Sequence, residues 1–306
     1  MLADDSSLPE DEREEVARQA RLALLNADAF GIYPTPVDQI MDAAKIEVVP
    51  IAIDERRLAW LRQRAERASQ ALLSALSKLW GVFDPHARIA YIDPETPAEK
   101  LPFLKLHESG HALLPWQSVF GHFEDCRKTL SPEIKDEFER QANVFASDAL
   151  FQIDGLARDA RDLPFGINAI LALAKRYGAS IYATARRYAA THERACAAVI
   201  LDPFEIHADL GVIARIRRVA VSPAFAKRFG NYAWPEWIAA KEGLGRLIPT
   251  KRMTLQRSFA MADANGVRHE FLGEGFRTSR HFIMLISCTD AIAPQIIVPD
   301  RQLLLI

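Results

Sequence analysis

Leu106-His107-Glu108-Ser109-Gly110-His111-Ala112-Leu113-Leu114 carries the pattern H-E-x-x-H and runs directly into Pro115. The stretch has helical character, and a proline cannot continue a helix for long. On a helix, residues four apart stand one turn apart on a common face, so His107 and His111 point the same way. Two neutral imidazoles so placed can bind one Zn²⁺ through ring nitrogens. Glu108 lies one step round the cylinder, where it can serve as general base toward water without being a ligand. Gly110 leaves room for a neighbouring backbone or for the ion. The bland reading is two ordinary histidines on a half-buried helix, and the next helix decides between the two.

That helix opens at Ser131-Pro132-Glu133, with a hydroxyl at the N-cap, proline at the first helical position and an acid in the first turn. Ile134, Phe138, Ala142, Phe145 and Ala149 recur at three- and four-residue steps and form a buried stripe. Glu139 and Asn143 stand one turn apart beside it. A catalytic zinc takes three protein ligands and keeps one position open, and two histidines from one helix with a glutamate from the next satisfy that requirement. Glu133 and Glu137 are rivals, but Glu139 shares a face with Asn143 next to the stripe. Asn143 is expected to orient His107 or His111 through the ring nitrogen that faces away from the metal.

His107-Glu-Ser-Gly-His-Ala-Leu-Leu114 followed by Glu139-Arg-Gln-Ala-Asn-Val-Phe-Ala146 resembles the paired signature of the ImmA/IrrE metallopeptidases, H-E-x-G-H-A and then E-x-x-A-N-x-F-A. The resemblance implies a zincin-like core and a zinc endopeptidase whose targets are helix-turn-helix transcriptional repressors. It implies His107, His111 and Glu139 as ligands and Glu108 as catalytic acid and base. Two departures concern packing rather than ligands. One is Ser109, where the family often has a larger aliphatic residue. The other is Asp148-Ala149-Leu150-Phe151-Gln152, where many members end the helix with a Leu-Leu-Met-Pro-like run.

The chain has 306 residues, enough for two or three domains. A hydrophobic content of 49% with 25% charged residues describes a globular protein, and a net charge of -2 gives no general attraction for polyanions. The three cysteines, Cys126, Cys196 and Cys288, are far apart and odd in number, which fits a reducing cytoplasm better than a disulfide framework. No signal peptide and no membrane-spanning run are recognised, so a cytoplasmic protein without a membrane partner is expected.

Taken in order, residues 11–26 read as an amphipathic helix burying Val16, Ala20, Leu22, Leu24 and Leu25. Val37 to Ala44 follows as a short helix capped by Thr35, then a strand over Ile46–Ile53. The same order precedes the metal motif in the ImmA/IrrE family. Glu55–Ala75 reads as a long helix, and residues 78–83 and 88–92 as a hairpin about Asp84-Pro85-His86. Ile89, Ala90 and Tyr91 are the candidate substrate-holding edge, pairing with an extended peptide by strand addition. Residues 116–130 read as a loop over the cleft; His122 there and Tyr91 are candidates for steadying an oxyanion. His122, Asp125 and Cys126 together fit no strong zinc spacing.

Ile167–Tyr177 and Ile181–Ala190, joined by Gly178-Ala179 with Ser180 as N-cap, have a helix-turn-helix pattern that can set Arg186 and Arg187 on DNA phosphates. The second helix lacks an obvious polar face for reading bases, which favours a scaffolding role. Beyond Ala195 the texture turns strand-like, with Asp263-Ala264-Asn265-Gly266 as a hairpin turn and Phe225–Phe229 and Pro235–Lys241 as short helices. The expected fold is therefore α+β: a zincin-like metallopeptidase domain over residues 1–155, a helix-turn-helix-like region over 156–194, and a C-terminal α+β sensor-like domain over 195–306. Some ImmA/IrrE members carry a GAF-like domain in that last position. The functional expectation is a zinc endopeptidase acting on a repressor; the alternative is a non-proteolytic regulator whose metal is structural.

Overall fold

The computed structural model describes residues 7–50, 81–117 and 132–289, apart from Asn231, Glu242, Thr250 and Ala264. The fold is mixed α+β. The expected helix over Glu55–Ala75 and the loop residues His122, Asp125 and Cys126 lie outside the described residues.

Helix α1 (Glu10–Asn26) buries Val16, Ala20, Ala23 and Leu24, whereas Leu22 and Leu25 face solvent. The 3.6-residue period admits one stripe, and Ala23 takes the place those leucines were expected to fill. Helix α2 (Val37–Ala43) has Pro36, not Thr35, at its N-cap. The Thr35 hydroxyl instead donates to Leu150 O at 2.7 Å. Beside it the Gln152 amide accepts from Gly31 N at 2.9 Å and donates to Ile32 O at 2.8 Å. Gln152 thus pins the 29–35 turn to the end of the helix that carries Glu139, where the resembling family has a different run.

Strands β1 (Glu47–Pro50), β2 (Gly81–Asp84) and β3 (Ile89–Ile92) form a small sheet in the order β1-β3-β2. β3 is its centre, parallel to β1 and antiparallel to β2. This corrects the substrate-edge expectation. Ile89, Ala90 and Tyr91 have ladder partners on both sides, so their main chain offers no free edge for strand addition. Ala90 is fully buried in a cluster with Phe83, Met41, Ile46 and Ala112, which seats the sheet against helix α3 (Leu101–Leu113).

Helix α4 (Pro132–Leu150) packs along α3 and α1. Its Ala142, Phe145 and Ala149 are buried as the stripe requires, but Ile134, one turn from the N-terminal end, is exposed. Helices α5 (Gly155–Arg161), α6 (Ile167–Tyr177) and α7 (Ile181–Thr191) follow. The α6–α7 turn forms as its sequence dictates. Gly178 adopts φ 66°, a left-handed conformation that suits glycine, and the Ser180 hydroxyl accepts from Ala183 N at 3.1 Å.

The second sheet is antiparallel, in the order β5-β6-β4-β10-β9-β8, with β7 also on β6. Its strands are β4 (Cys196–Leu201), β5 (Glu205–His207), β6 (Gly211–Val221), β7 (Trp237–Ala239), β8 (Arg257–Ala262), β9 (Arg268–Arg277) and β10 (Phe282–Cys288). Helix α8 (Pro223–Phe229) lies after β6. The stretch expected to be helical over Pro235–Lys241 is instead β7: Ile213, Ala214 and Arg215 of β6 pair with it while Ile238 points inward. The Asp263 carboxylate accepts from the backbone N–H groups of Asn265 and Val267, closing the expected β8–β9 turn.

The central strands have two buried faces. Ala198, Ile200, Ile283 and Leu285 join one hydrophobic cluster with the helices, including Val16, Leu106, Phe145, Leu173 and Tyr188. Ala197, Val199, Leu201, Met284 and Ile286 join Phe225, Phe229 and Phe271 in another on the opposite face. Alternation at period two produces the split. The first cluster runs across both 155/156 and 194/195, so helices and sheet share one core.

Helix α7 lies within that core, and of its eleven residues only Ala190 is exposed. Arg187 is 9% exposed and pairs at 2.6 Å with Asp148, itself 2% exposed. Its guanidinium also donates to Ile153 O at 2.7 Å. Arg187 is therefore spent holding α7 to α4 and is not offered to DNA phosphates, while Arg186 is half-buried over the Tyr182 ring. Arg187→Ala is expected to strand the Asp148 charge and cost about 3–5 kcal/mol by urea unfolding. An Arg187→Met/Asp148→Leu double variant should recover most of that loss.

Candidate metal centre

Helix α3 carries His107, Glu108 and His111, and its end is set by Leu114, whose extended backbone turns the chain out of the helix. Residues 115–117 make a further helical turn where a loop was expected. The approach of α3 to α4 depends on Gly110. A Cβ there would lie 3.1 Å from Ala142 Cα and 3.3 Å from Phe145 Cδ1, so the helices meet backbone to backbone. Ala142 stands three residues, about one turn, from Glu139. The same crossing therefore carries the Glu139 carboxylate to the two imidazoles.

His107 Nε2 and His111 Nε2 are 3.2 Å apart. Glu139 Oε2 lies 3.4 Å from His107 Nε2, and Glu139 Oε1 lies 3.6 Å from His111 Nε2. The imidazoles are 13% and 21% exposed and the carboxylate 61%, so the cluster opens to solvent on the Glu139 side. A tetrahedral cation with ligand bonds of about 2.0–2.1 Å has ligand-to-ligand edges of about 3.3 Å. The observed separations match that figure closely, and the two-nitrogen, one-oxygen donor set suits a first-row divalent ion. His107, His111 and Glu139 can thus hold a metal ion.

Among the described residues the rival Glu137 is not part of this cluster. Glu137 Oε1 accepts from Gln141 Nε2 at 3.2 Å, and the side chain of Glu133 lies outside the described residues.

Glu108 is 4% exposed. Burial pushes its pKa up to about 7, with the His107 charge pulling it down and the Glu139 charge pushing it further up. A bound cation beside it would favour the ionised form. Burial works to lower the pKa of His107, but the hydrogen bond to Glu139, the charges of Glu108 and Glu139 and a hydrogen bond to Asn143 together raise it. The field of the pocket therefore favours positive charge between the imidazoles.

Asn143 stands beside His107, but not at an outward-facing ring nitrogen, where it was expected. The outward-facing nitrogen with a defined partner belongs to His111, whose Nδ1 lies 2.7 Å from Gln117 Oε1. Among the described residues His107 Nδ1 has no hydrogen-bond partner. Gln117 went unnoticed in the sequence because it follows Pro115-Trp116 at no spacing associated with metal ligands. Tyr91 is half-buried on the central strand β3, and His122 lies outside the described residues.

No family model matches the chain, and no curated protein does. The chain is similar in fold to a Mycobacterium tuberculosis transcriptional regulator of solved structure, with a TM-score of 0.50 and 13% identity over 91% of this chain and 80% of that one. At that identity the likeness is one of fold alone. Among the described residues no helix is long and apolar enough to cross a membrane.

The contact at Gly110 gives a direct test. Gly110→Ala should force α3 and α4 apart by a few tenths of an ångström, cost about 1–3 kcal/mol of stability and weaken binding of added Zn²⁺. Thermal unfolding and chelator competition measure the two effects.

Proposed function

We propose that this chain is a cytoplasmic zinc-dependent endopeptidase of the ImmA/IrrE type, with a zincin-like catalytic core and a protein substrate. By the resemblance, that substrate is a helix-turn-helix repressor whose cleavage relieves repression. The observation that carries the reading is the meeting of His107, His111 and Glu139 from two helices beside a buried Glu108.

When bound, zinc supplies Lewis acidity, polarising a scissile carbonyl and lowering the pKa of water towards about 7. His107 and His111 would hold it through Nε2 and Glu139 through its carboxylate. Glu108 takes the proton of the attacking water and returns it to the leaving amine. Burial lifts the pKa of the Glu108 carboxyl, and a bound cation would draw it back towards the ionised form that accepts the proton of water. The open Glu139 side is where a peptide would approach. The curled antiparallel sheet after residue 195, its second face closed by α8, is proposed as a sensor-like, GAF-like unit.

A second reading draws on the fold neighbour's name, transcriptional regulator. In it the chain regulates transcription by binding a repressor without cleaving it, and the metal is structural.

Glu108 separates the two. The purified protein should carry about one zinc ion per chain. Glu108→Gln should keep the zinc and the fold but lower cleavage of a co-expressed helix-turn-helix repressor by about 10²–10⁴-fold. Undiminished cleavage or derepression in that variant would sink the peptidase reading. Protein without zinc would sink both.

A further inference from the structure

We propose that Gln117 and Gln141 are positioning residues: a buried relay that locks His111 in the tautomer whose bare nitrogen faces His107 and Glu139. The relay begins at groups whose roles are not negotiable. The Trp116 indole N–H can only donate, and the carboxylates of Glu12 and Glu137 can only accept. Trp116 Nε1 lies 2.7 Å from Gln141 Oε1. Gln141 Nε2 lies 3.3 Å from Glu12 Oε2 and 3.2 Å from Glu137 Oε1. These three neighbours settle which end of the Gln141 amide is oxygen, a choice that otherwise has two answers.

Gln141 Oε1 then accepts a second hydrogen bond, from Gln117 Nε2 at 2.8 Å. The same Gln117 amine donates to Phe138 O at 3.1 Å, another group that can only accept. With its nitrogen so committed, Gln117 must turn its oxygen to His111 Nδ1, 2.7 Å away. A carbonyl oxygen cannot donate, so Nδ1 carries the proton. In a neutral imidazole Nε2 is then bare, and it is this atom that faces His107 Nε2 and Glu139.

The neighbouring carboxylate makes the relay necessary. Glu139 Oε1, 3.6 Å from His111 Nε2, would by itself draw a proton to that nitrogen and so block the lone pair a metal needs. Gln117 and Gln141 are 5% and 3% exposed. Buried amides are tolerated when their hydrogen bonds are made, and Gln141 uses both of its donors and both of its lone pairs here. The chain of contacts ends on Glu12, so helix α1 is joined through polar groups to the metal helices.

The test uses the full-length protein, metal-free and labelled with ¹⁵N at histidine, at a pH where imidazole is neutral. Long-range ¹H–¹⁵N correlation reads the tautomer of His111 directly. Wild-type protein should show the Nδ1–H form. Gln117→Leu should shift His111 towards the Nε2–H form and weaken Zn²⁺ binding by about 10–100-fold. Gln117→Glu keeps an acceptor oxygen towards His111 but sets a second oxygen against Phe138 O and Gln141 Oε1, so it should keep the wild-type tautomer at a cost in stability. An Nε2–H form in the wild type overturns the proposal without any variant. So does a Gln117→Leu protein with unchanged tautomer and unchanged zinc affinity. The consequence for metal binding rests on the function proposed above, but the tautomer does not. If wild-type His111 is Nδ1–H and zinc never binds, the peptidase reading falls and the relay stands.

Discussion

The structure turns on one close contact, where Gly110 of α3 meets the backbone of Ala142 on α4. A side chain at residue 110 would hold the helices apart, and a site assembled from two helices tolerates little separation. Two histidines one turn apart can arise on any helix, but a third donor at 3.4–3.6 Å requires a second helix at a set distance and rotation. Ala142 and Glu139 share a face of α4, so the contact that sets the distance also sets the rotation. Around it Leu106, Leu114 and Phe145 are fully buried, and that apolar packing keeps the crossing in place.

The rest of the molecule is built against this pair. The small sheet lies against α3 through Phe83 and Ala90, while α1 lies along α4. The core continues past α4 through α7 to one face of the large sheet. The buried Asp148–Arg187 pair joins α4 to α7 at the centre of that arrangement. A helix held on so many sides acts as a strut, which is why a pattern resembling helix-turn-helix serves packing here. Glu274 of β9 adds a further tie, accepting from Ile167 N at the start of α6.

Much of the local structure was legible in the residues. The α6–α7 turn followed from Gly178 and Ser180, the Asp263–Gly266 turn from its asparagine and glycine, and the strand-like texture beyond Ala195 from the Val and Ile of β4, β6 and β10. Helical spacing put His107 with His111 on one face, and Glu139 with Asn143 on another. What escaped depended on distant partners. β3 reads the same whether one neighbour or two lie beside it, so its central place was invisible. Pro235–Lys241 is too short for its period to tell helix from strand until β6 supplies hydrogen bonds. Thr35 has the chemistry of a cap, but Leu150 O claimed its hydroxyl.

By itself the sequence determined which side chains leave each helix or strand on the same side, and so which donors could act together. Periodicity is a local property, carried by residues three, four or two apart. Tertiary structure alone decided how near those sides come and which buried polar groups find partners. Gln117 and Gln141 lie 24 residues apart, and their hydrogen bond forms only once two helices have packed. The distance between elements is set by the shapes filling the space between them, which no stretch of chain records on its own.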